Sequence, residues 1–285
     1  MWKRRKARVL TRERLSDYEF FLREQEKAGN TVKKYMQSLA SLRSHLAGAP
    51  ITKAALIEWK EELVREYAPA SVNAMIAAVN SFLNFMEWTD CRIQPLKIQR
   101  AIFRREEKEL TRSEYARLVK TAEKMGKERL ALVLQTITST GIRVSELQFI
   151  TMEAVRCGRA VVRCKGKSRE VFLPKKLCRC LDAYMREQNR RSGLVFVTKS
   201  GKKLDRSNIW REMKSLCEGA GVSAEKVFPH NLRHLFARTY YSLEKDLSRL
   251  ADILGHTSVA TTRIYTAESG AIHRAQLERM GMIIT

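Results

Sequence analysis

Five side chains in the second half of the chain have the types that phosphodiester chemistry calls for: Arg143, His230, Arg233, His256 and Tyr265. A phosphodiester is anionic, and attack on it builds further charge on two non-bridging oxygens. Arginine suits that charge, because its planar fork stays cationic and bonds two oxygens at once. Arg143, in TGIRVSEL, and Arg233, in PHNLRH, are the two candidate forks. Gly141 precedes Arg143 and suits a helix entry where backbone approaches phosphate closely. His230 and Arg233 are three residues apart on a helix opened by Pro229, so they share one face and one phosphate could touch both. His256 follows Gly255, which reads as a helix stop, and an imidazole there can donate to a phosphate oxygen or move a proton. Tyr265 follows nine residues later and is the candidate nucleophile. A free phenol has a pKa of about 10 and attacks poorly when protonated, and neighbouring arginines favour its phenolate. A covalent phosphotyrosine would keep the phosphodiester energy, so rejoining would need no ATP. Tyr240, Tyr241, His45, His234 and His273 lack this spacing and read as packing or surface residues.

The elements around these residues fall into two groups. Up to residue 90 the pattern is helical throughout. Ser16 and Glu19 have capping-box spacing and open a first helix, which Gly29-Asn30 closes. Thr31 starts a second helix with Val32, Tyr35, Met36, Leu39 and Leu42 on one face. Thr52 caps a third, to about Tyr67, and Ser71 caps a fourth after Pro69. Pro95 and clustered charges then mark a basic linker over 91–107. Thr111 and Glu114 form another capping box and begin a mixed second domain, 108–285. Helices are predicted near 112–125, 127–139 and 143–150. AVVRC, the turn KGKS and REVFL read as a hairpin, GLVFVT as a third strand, and the pattern is helical again from Asp205.

TGIRVSEL, CKGK, PHNLRH and the LGH…TTRIYT run stand in the order of the tyrosine recombinase, or phage integrase, family, and this chain resembles that family over about residues 108–285. The helical N-terminal domain resembles the family's core-binding domain more weakly. The resemblance implies a mainly α, two-domain fold: a four-helix, SAM-like core-binding domain over 1–90, and an α+β catalytic domain with a small antiparallel sheet. It implies a site-specific DNA recombinase, Xer-like or from a mobile element, with Arg143, Lys165, His230, Arg233, His256 and the nucleophile Tyr265 as catalytic residues. Lys167 competes with Lys165, and the family's pattern favours Lys165 as the general acid for the departing 5′-oxygen. Glu146 matches an acidic position that orients the basic groups. The family's product is a 3′-phosphotyrosine and a free 5′-hydroxyl. Its members clamp duplex DNA and exchange strands in a homotetramer, often with the C-terminal tail docked on a neighbour. Here that tail ends in Met280, Met282, Ile283 and Ile284. The rival readings are a type IB topoisomerase or telomere resolvase, a DNA-binding factor without catalysis, and an RNA-binding protein.

Composition agrees with a nucleic-acid partner. Fifty-four Lys and Arg against 31 Asp and Glu leave a net charge of +23 over 285 residues, more than an ordinary solubilised surface carries. Hydrophobic residues make up 44%, enough for a core. The apolar runs fall far short of the roughly 20 residues that cross a bilayer, and the basic N-terminus lacks the apolar stretch of a secretory signal. The six cysteines form no CxxC pair, which predicts reduced thiols in the cytoplasm, with the protein on nucleoid DNA. No metal or cofactor is expected, because side-chain cations stand where a metal nuclease would hold ions. The basic run Lys3–Arg14 reads as a solvated arm able to touch phosphate.

Overall fold

A computed structural model describes residues 7–98, 106–164, 167–198, 200–256, 258–265 and 277–282. The chain divides into two compact units, Met1–Arg100 and Ala101–Thr285.

The first unit is built from α1 (Arg12–Glu24), α2 (Gly29–Leu46), α3 (Lys53–Glu66) and α4 (Pro69–Phe85). Their apolar stripes meet in a core of Tyr18, Leu39, Leu42, Leu56, Trp59, Val72, Val79 and Phe82. Thr52 caps α3 as its sequence predicts, accepting from the Ala55 amide. Three other starts differ from expectation. Thr11, not Ser16, caps α1 by accepting from the Arg14 amide, which leaves Ser16 inside the helix. Gly29 begins α2 instead of closing α1. Pro69 itself sits in the first turn of α4, where its missing N–H costs nothing, so Ser71 is not the cap.

The segment expected to be linker starts as part of this unit. Cys91 and Ile93 are buried in its core. Two asparagines of α4 hold the chain that follows. Asn80 donates Nδ2 to the Ile93 carbonyl (2.8 Å) and accepts its amide (3.1 Å). Asn73 does the same for Leu96, at 2.9 and 2.7 Å. The basic N-terminal run is likewise not wholly a solvated arm. Arg8 pairs with Asp90 at 2.7 Å, and the guanidiniums of Arg8 and Arg14 lie 5.9 and 5.1 Å from the Trp88 ring centre.

The second unit opens with α5 (Arg112–Lys124), where the Thr111–Glu114 capping box forms in full. α6 (Glu128–Thr140) follows and is its central helix, buried from Leu130 through Leu134 and packed on α5. A 3-10 turn (Val144–Phe149) replaces the helix expected there and leads into α7 (Met152–Cys157). β1 (Arg159–Cys164) and β2 (Lys167–Phe172) pair antiparallel, Arg159 opposite Phe172 and Cys164 opposite Lys167. The expected third strand is absent. Around Val195 and Phe196 the chain makes only the isolated bridges Thr151–Leu194 and Val197–Lys203, because both side chains are spent on the core. α8 (Lys175–Glu187), α9 (Arg206–Lys214), α10 (Cys217–Ala220), α11 (Pro229–Glu244), α12 (Leu247–Leu254) and α13 (Val259–Thr262) follow, and a 3-10 turn over Arg263–Tyr265 comes after α13. α6 also packs against α8 and α11. Among the described residues no helix is long and apolar enough to cross a membrane.

Candidate active site

Glycines fix two of the corners that carry the site. Gly141 closes α6 with φ +67°, and a Cβ there would lie 2.4 Å from the Phe236 ring. Its role is thus a helix exit and a close approach to α11, not the helix entry near phosphate that the sequence suggested. Gly255 closes α12 with φ +65° and delivers His256.

Arg143 starts the 3-10 turn, and its side chain stays 37% exposed. Its amide donates to Glu146 Oε2 (2.8 Å) and its Nη1 to Glu146 Oε1 (2.9 Å). Glu146 is buried and takes two further bonds from Arg169 of β2, Nη1 to Oε1 (3.0 Å) and Nη2 to Oε2 (2.8 Å). Burial pushes the Glu146 pKa up, but the bonds from Arg169 and Arg143 together outweigh it and hold the carboxyl below its usual value. Glu146 is therefore an anion fastened between two guanidiniums, as an orienting group requires.

Arg233, on α11, is only 2% exposed. Its Nη1 donates to the Gly141 carbonyl (2.5 Å) and its Nη2 to the Leu254 carbonyl (2.7 Å), so it bridges the ends of α6 and α12. Nη2 also lies 3.0 Å from His256 Nε2. A guanidinium can only donate, so Nε2 accepts, and Nδ1 carries the proton that goes to Thr262 Oγ1 at 2.8 Å. Burial, then the charge of Arg233, pushes the His256 pKa down to about 4. His256 is thus neutral at pH 7 and orients Arg233; in this arrangement Nε2 cannot also donate to phosphate. Burial and the nearby Arg143 bring Arg233 down to about 10, still cationic at neutral pH.

His230, one turn before Arg233's neighbour His234, lines a shallow depression of about 190 Å³ with Arg143, Arg206, Arg233 and the backbone turn at Val144 and Ser145. Desolvation, Arg233 and Arg143 hold its pKa below the ordinary value. Tyr265 is 4% exposed and packs with Ala237, Leu250 and Leu254. Its ring stacks on His256 (centroids 6.1 Å apart, 14° between planes) and meets His234 edge-on at 4.8 Å. Its charge would act on Arg233. Sequence positions 143, 146, 230, 233, 256 and 265 thus come together. Lys165 lies outside the described residues, as do His273, Ile283 and Ile284. β1 and β2 pair as far as Cys164 and Lys167, on either side of it. His45 is in the first unit, bonded to Glu62 (2.7 Å), while Tyr240 and Tyr241 are partly buried against the apolar cluster that includes Tyr265.

Three residues were missed. His234 was read as packing; it does pack, yet between His230 (4.3 Å) and Tyr265, with burial and His230 driving its pKa to about 3. Arg206 adds a third arginine to the depression, and no signal beyond its place after the helix cap Asp205 marks it. Arg169 had a signal. Strand residues alternate, so it shares a face with Val171 and Leu173, both buried, and a cation on an apolar strand face needs a partner.

Comparison with known proteins bears on this geometry. Residues 108–271 match the Phage integrase family. The chain is 31% identical to the tyrosine recombinase XerC of Roseiflexus castenholzii, over 87% of each. It is 26% identical to the tyrosine recombinase XerA of Pyrococcus furiosus, over 98% of this chain and 97% of that one. Among solved structures, a lambda integrase tetramer bound to a Holliday junction superposes with a TM-score of 0.74 at 19% identity, covering 91% of this chain and 78% of the other.

Proposed function

The chain belongs to the phage integrase family and is a site-specific tyrosine recombinase, and from that premise we propose that Tyr265 is its nucleophile. One observation carries the assignment. Arg143, His230 and Arg233 line a single depression, and the Tyr265 ring lies against the His256 that is bonded to Arg233.

In this reading a DNA phosphate sits in the depression, with Arg143 and Arg233 on its non-bridging oxygens and His230 beside them. The Tyr265 hydroxyl leaves its packing, gives its proton to solvent and attacks phosphorus. The P–O bond to the 5′-oxygen breaks, and Lys165 protonates that oxygen, a role assigned by family resemblance. A 3′-phosphotyrosine and a free 5′-hydroxyl result. Attack by a 5′-hydroxyl from the partner strand reverses these bond changes, releases Tyr265 and needs no ATP. Every charge required comes from side chains, so the reaction runs without a metal.

The DNA partner is a duplex recombination site, and four protomers hold two such sites, as the lambda integrase tetramer holds its junction. The tail is exchanged between protomers: Met280 and Met282 are 60% and 77% exposed, an apolar surface suited to a neighbour. The protein works in the cytoplasm on nucleoid DNA, in integration, excision or resolution.

Covalent trapping tests the proposal. Wild type and Tyr265→Phe are mixed with sheared source DNA in EDTA, denatured in SDS, and the protein-linked ends are sequenced. Adducts through a 3′-phosphate from wild type alone support it and reveal the site. Equal adducts from both proteins would mean another tyrosine attacks. Binding without any adduct would favour a non-catalytic DNA-binding factor, and relaxation of any supercoiled plasmid by a monomer would favour a topoisomerase.

A further inference from the structure

We propose that Arg169 is a positioning residue that locks the two sides of the phosphate site to each other. The inference rests on the reading that Arg143, Arg233 and His230 act on the DNA phosphate.

Arg169 touches both sides at once. Its Nη1 and Nη2 grip the two oxygens of Glu146, whose same two oxygens hold the side chain and amide of Arg143. Its Nε donates to the Ile253 carbonyl at 3.1 Å, in the last turn of α12, two residues before Gly255. The Leu254 carbonyl next to it receives Arg233. Gly255 leaves room for the same side chain, since a Cβ there would lie 2.8 Å from Arg169 Cδ. One planar group thus sets Arg143 through Glu146, and sets the segment that carries His256 and receives Arg233.

The chemistry favours this role over a direct one. All three donor nitrogens of Arg169 are engaged with protein acceptors, and its side chain is 14% exposed, whereas that of Arg143 is 37% exposed and lines the depression. Arg169 is absent from the lining of that depression. A lysine at 169 would keep the charge but would lose the fork that spans both Glu146 oxygens and Ile253. Arg143 would then keep its carboxylate partner while its position loosened.

The test uses the sequence recovered by trapping, placed in a nicked duplex that holds the covalent product. Single-turnover cleavage by wild type and Arg169→Lys is measured on two versions, one with an ordinary scissile phosphate and one with a methylphosphonate. The methylphosphonate is uncharged, so misplaced cations matter far less to it. On phosphate, Arg169→Lys is expected to cleave roughly 100-fold more slowly, the cost of about 1 Å of misplacement, with DNA affinity kept within about threefold. On methylphosphonate the gap is expected to close to about threefold. A general loss of folding would slow both substrates alike. An equal gap on both substrates, or no gap on phosphate, would overturn the proposal. If Arg169→Lys loses its cooperative melting, Glu146→Gln takes its place and must give the same substrate-dependent gap, because Glu146 is the middle link. Wild type that cleaves neither duplex would overturn the recombinase reading underneath, an outcome distinct from wild-type cleavage with an equal gap.

Discussion

Two of the ties that polar side chains make between remote chain segments use different chemistry. Behind α4 the ties are neutral amides: Asn73 and Asn80 each give one donor and one acceptor to the backbone at Leu96 and Ile93. At the candidate site they are charges: Arg233 joins the ends of α6 and α12, and Arg169 joins β2, the turn at Glu146 and α12. A half-buried amide that gives one donor and one acceptor to the backbone costs little to desolvate, whereas a buried guanidinium costs several kcal/mol even when paired. If the ends of α6 and α12 needed only fastening, amides would serve. Arginines 143, 206 and 233 also share their depression with no carboxylate in its lining, Glu146 lying behind it. Like charges gathered with too few counter-charges are unfavourable until an anion arrives. Fastening by the asparagines thus serves only the fold, whereas fastening by the arginines also prepares a charge for a ligand.

Arg233→Lys should have the largest effect of any single change at the site. Lysine keeps a cation but cannot span the Gly141 carbonyl, the Leu254 carbonyl and His256 Nε2 together. Single-turnover cleavage is expected to fall by on the order of 10³, as when a preorganised donor to a developing oxyanion is lost. The melting temperature should also fall, because unpaired buried carbonyls cost about 1–3 kcal/mol. A variant that melts lower yet cleaves at the wild-type rate would place Arg233 with the asparagines, as fastening alone.

The second effect is a pH dependence. Burial, followed by Arg233 for one ring and His230 for the other, lowers the pKa of His256 to about 4 and of His234 to about 3, from 6.5 in the unfolded chain. Between those values the unfolded chain binds more protons than the folded one, so stability rises with pH. The contribution is complete above about pH 6.5 and is lost as pH falls toward 4. Melting temperature should climb across that window and flatten above it, and His256→Gln should make the climb shallower. A climb as steep in His256→Gln as in wild type would refute the neutral, buried state of this ring.

How much of this could be read from sequence follows the same division. The capping box at Thr111–Glu114, the stop at Gly255 and the start at Pro229 are local signals, and they placed α5, α12 and α11. Six of the expected site residues come together, and what marked them in the sequence was residue type and the family's motif order. The errors are tertiary. Thr11 caps α1 where Ser16 with Glu19 offered a better-looking box, Val195 and Phe196 look like a strand but serve as core, and Gly141 was judged by its neighbour Arg143 when its constraint comes from Phe236 on a distant helix. Arg169 was within reach through strand alternation, but its two partners lie 23 and 84 residues away along the chain, and sequence names neither.

The smallest expected effect belongs to the amide ties. Asn80→Ala removes a donor and an acceptor from the backbone at Ile93, a loss of roughly 1–3 kcal/mol for two neutral bonds, and leaves every charge in the other unit untouched. Cleavage chemistry, measured at saturating protein on the pre-formed complex, should stay within about twofold of wild type, since no transition-state contact is lost. The visible change should be local. Arg92 and Lys97 flank the two tied residues, and both are exposed. With Ile93 released, limited trypsin digestion should cut at these positions faster than in wild type, because cleavage follows the population of locally open chain. Asn73→Ala should do the same at Lys97. Cleavage chemistry lost as severely in Asn80→Ala as in Arg233→Lys would erase the distinction between the two kinds of fastening, and it would make the 93–96 segment part of the reaction itself.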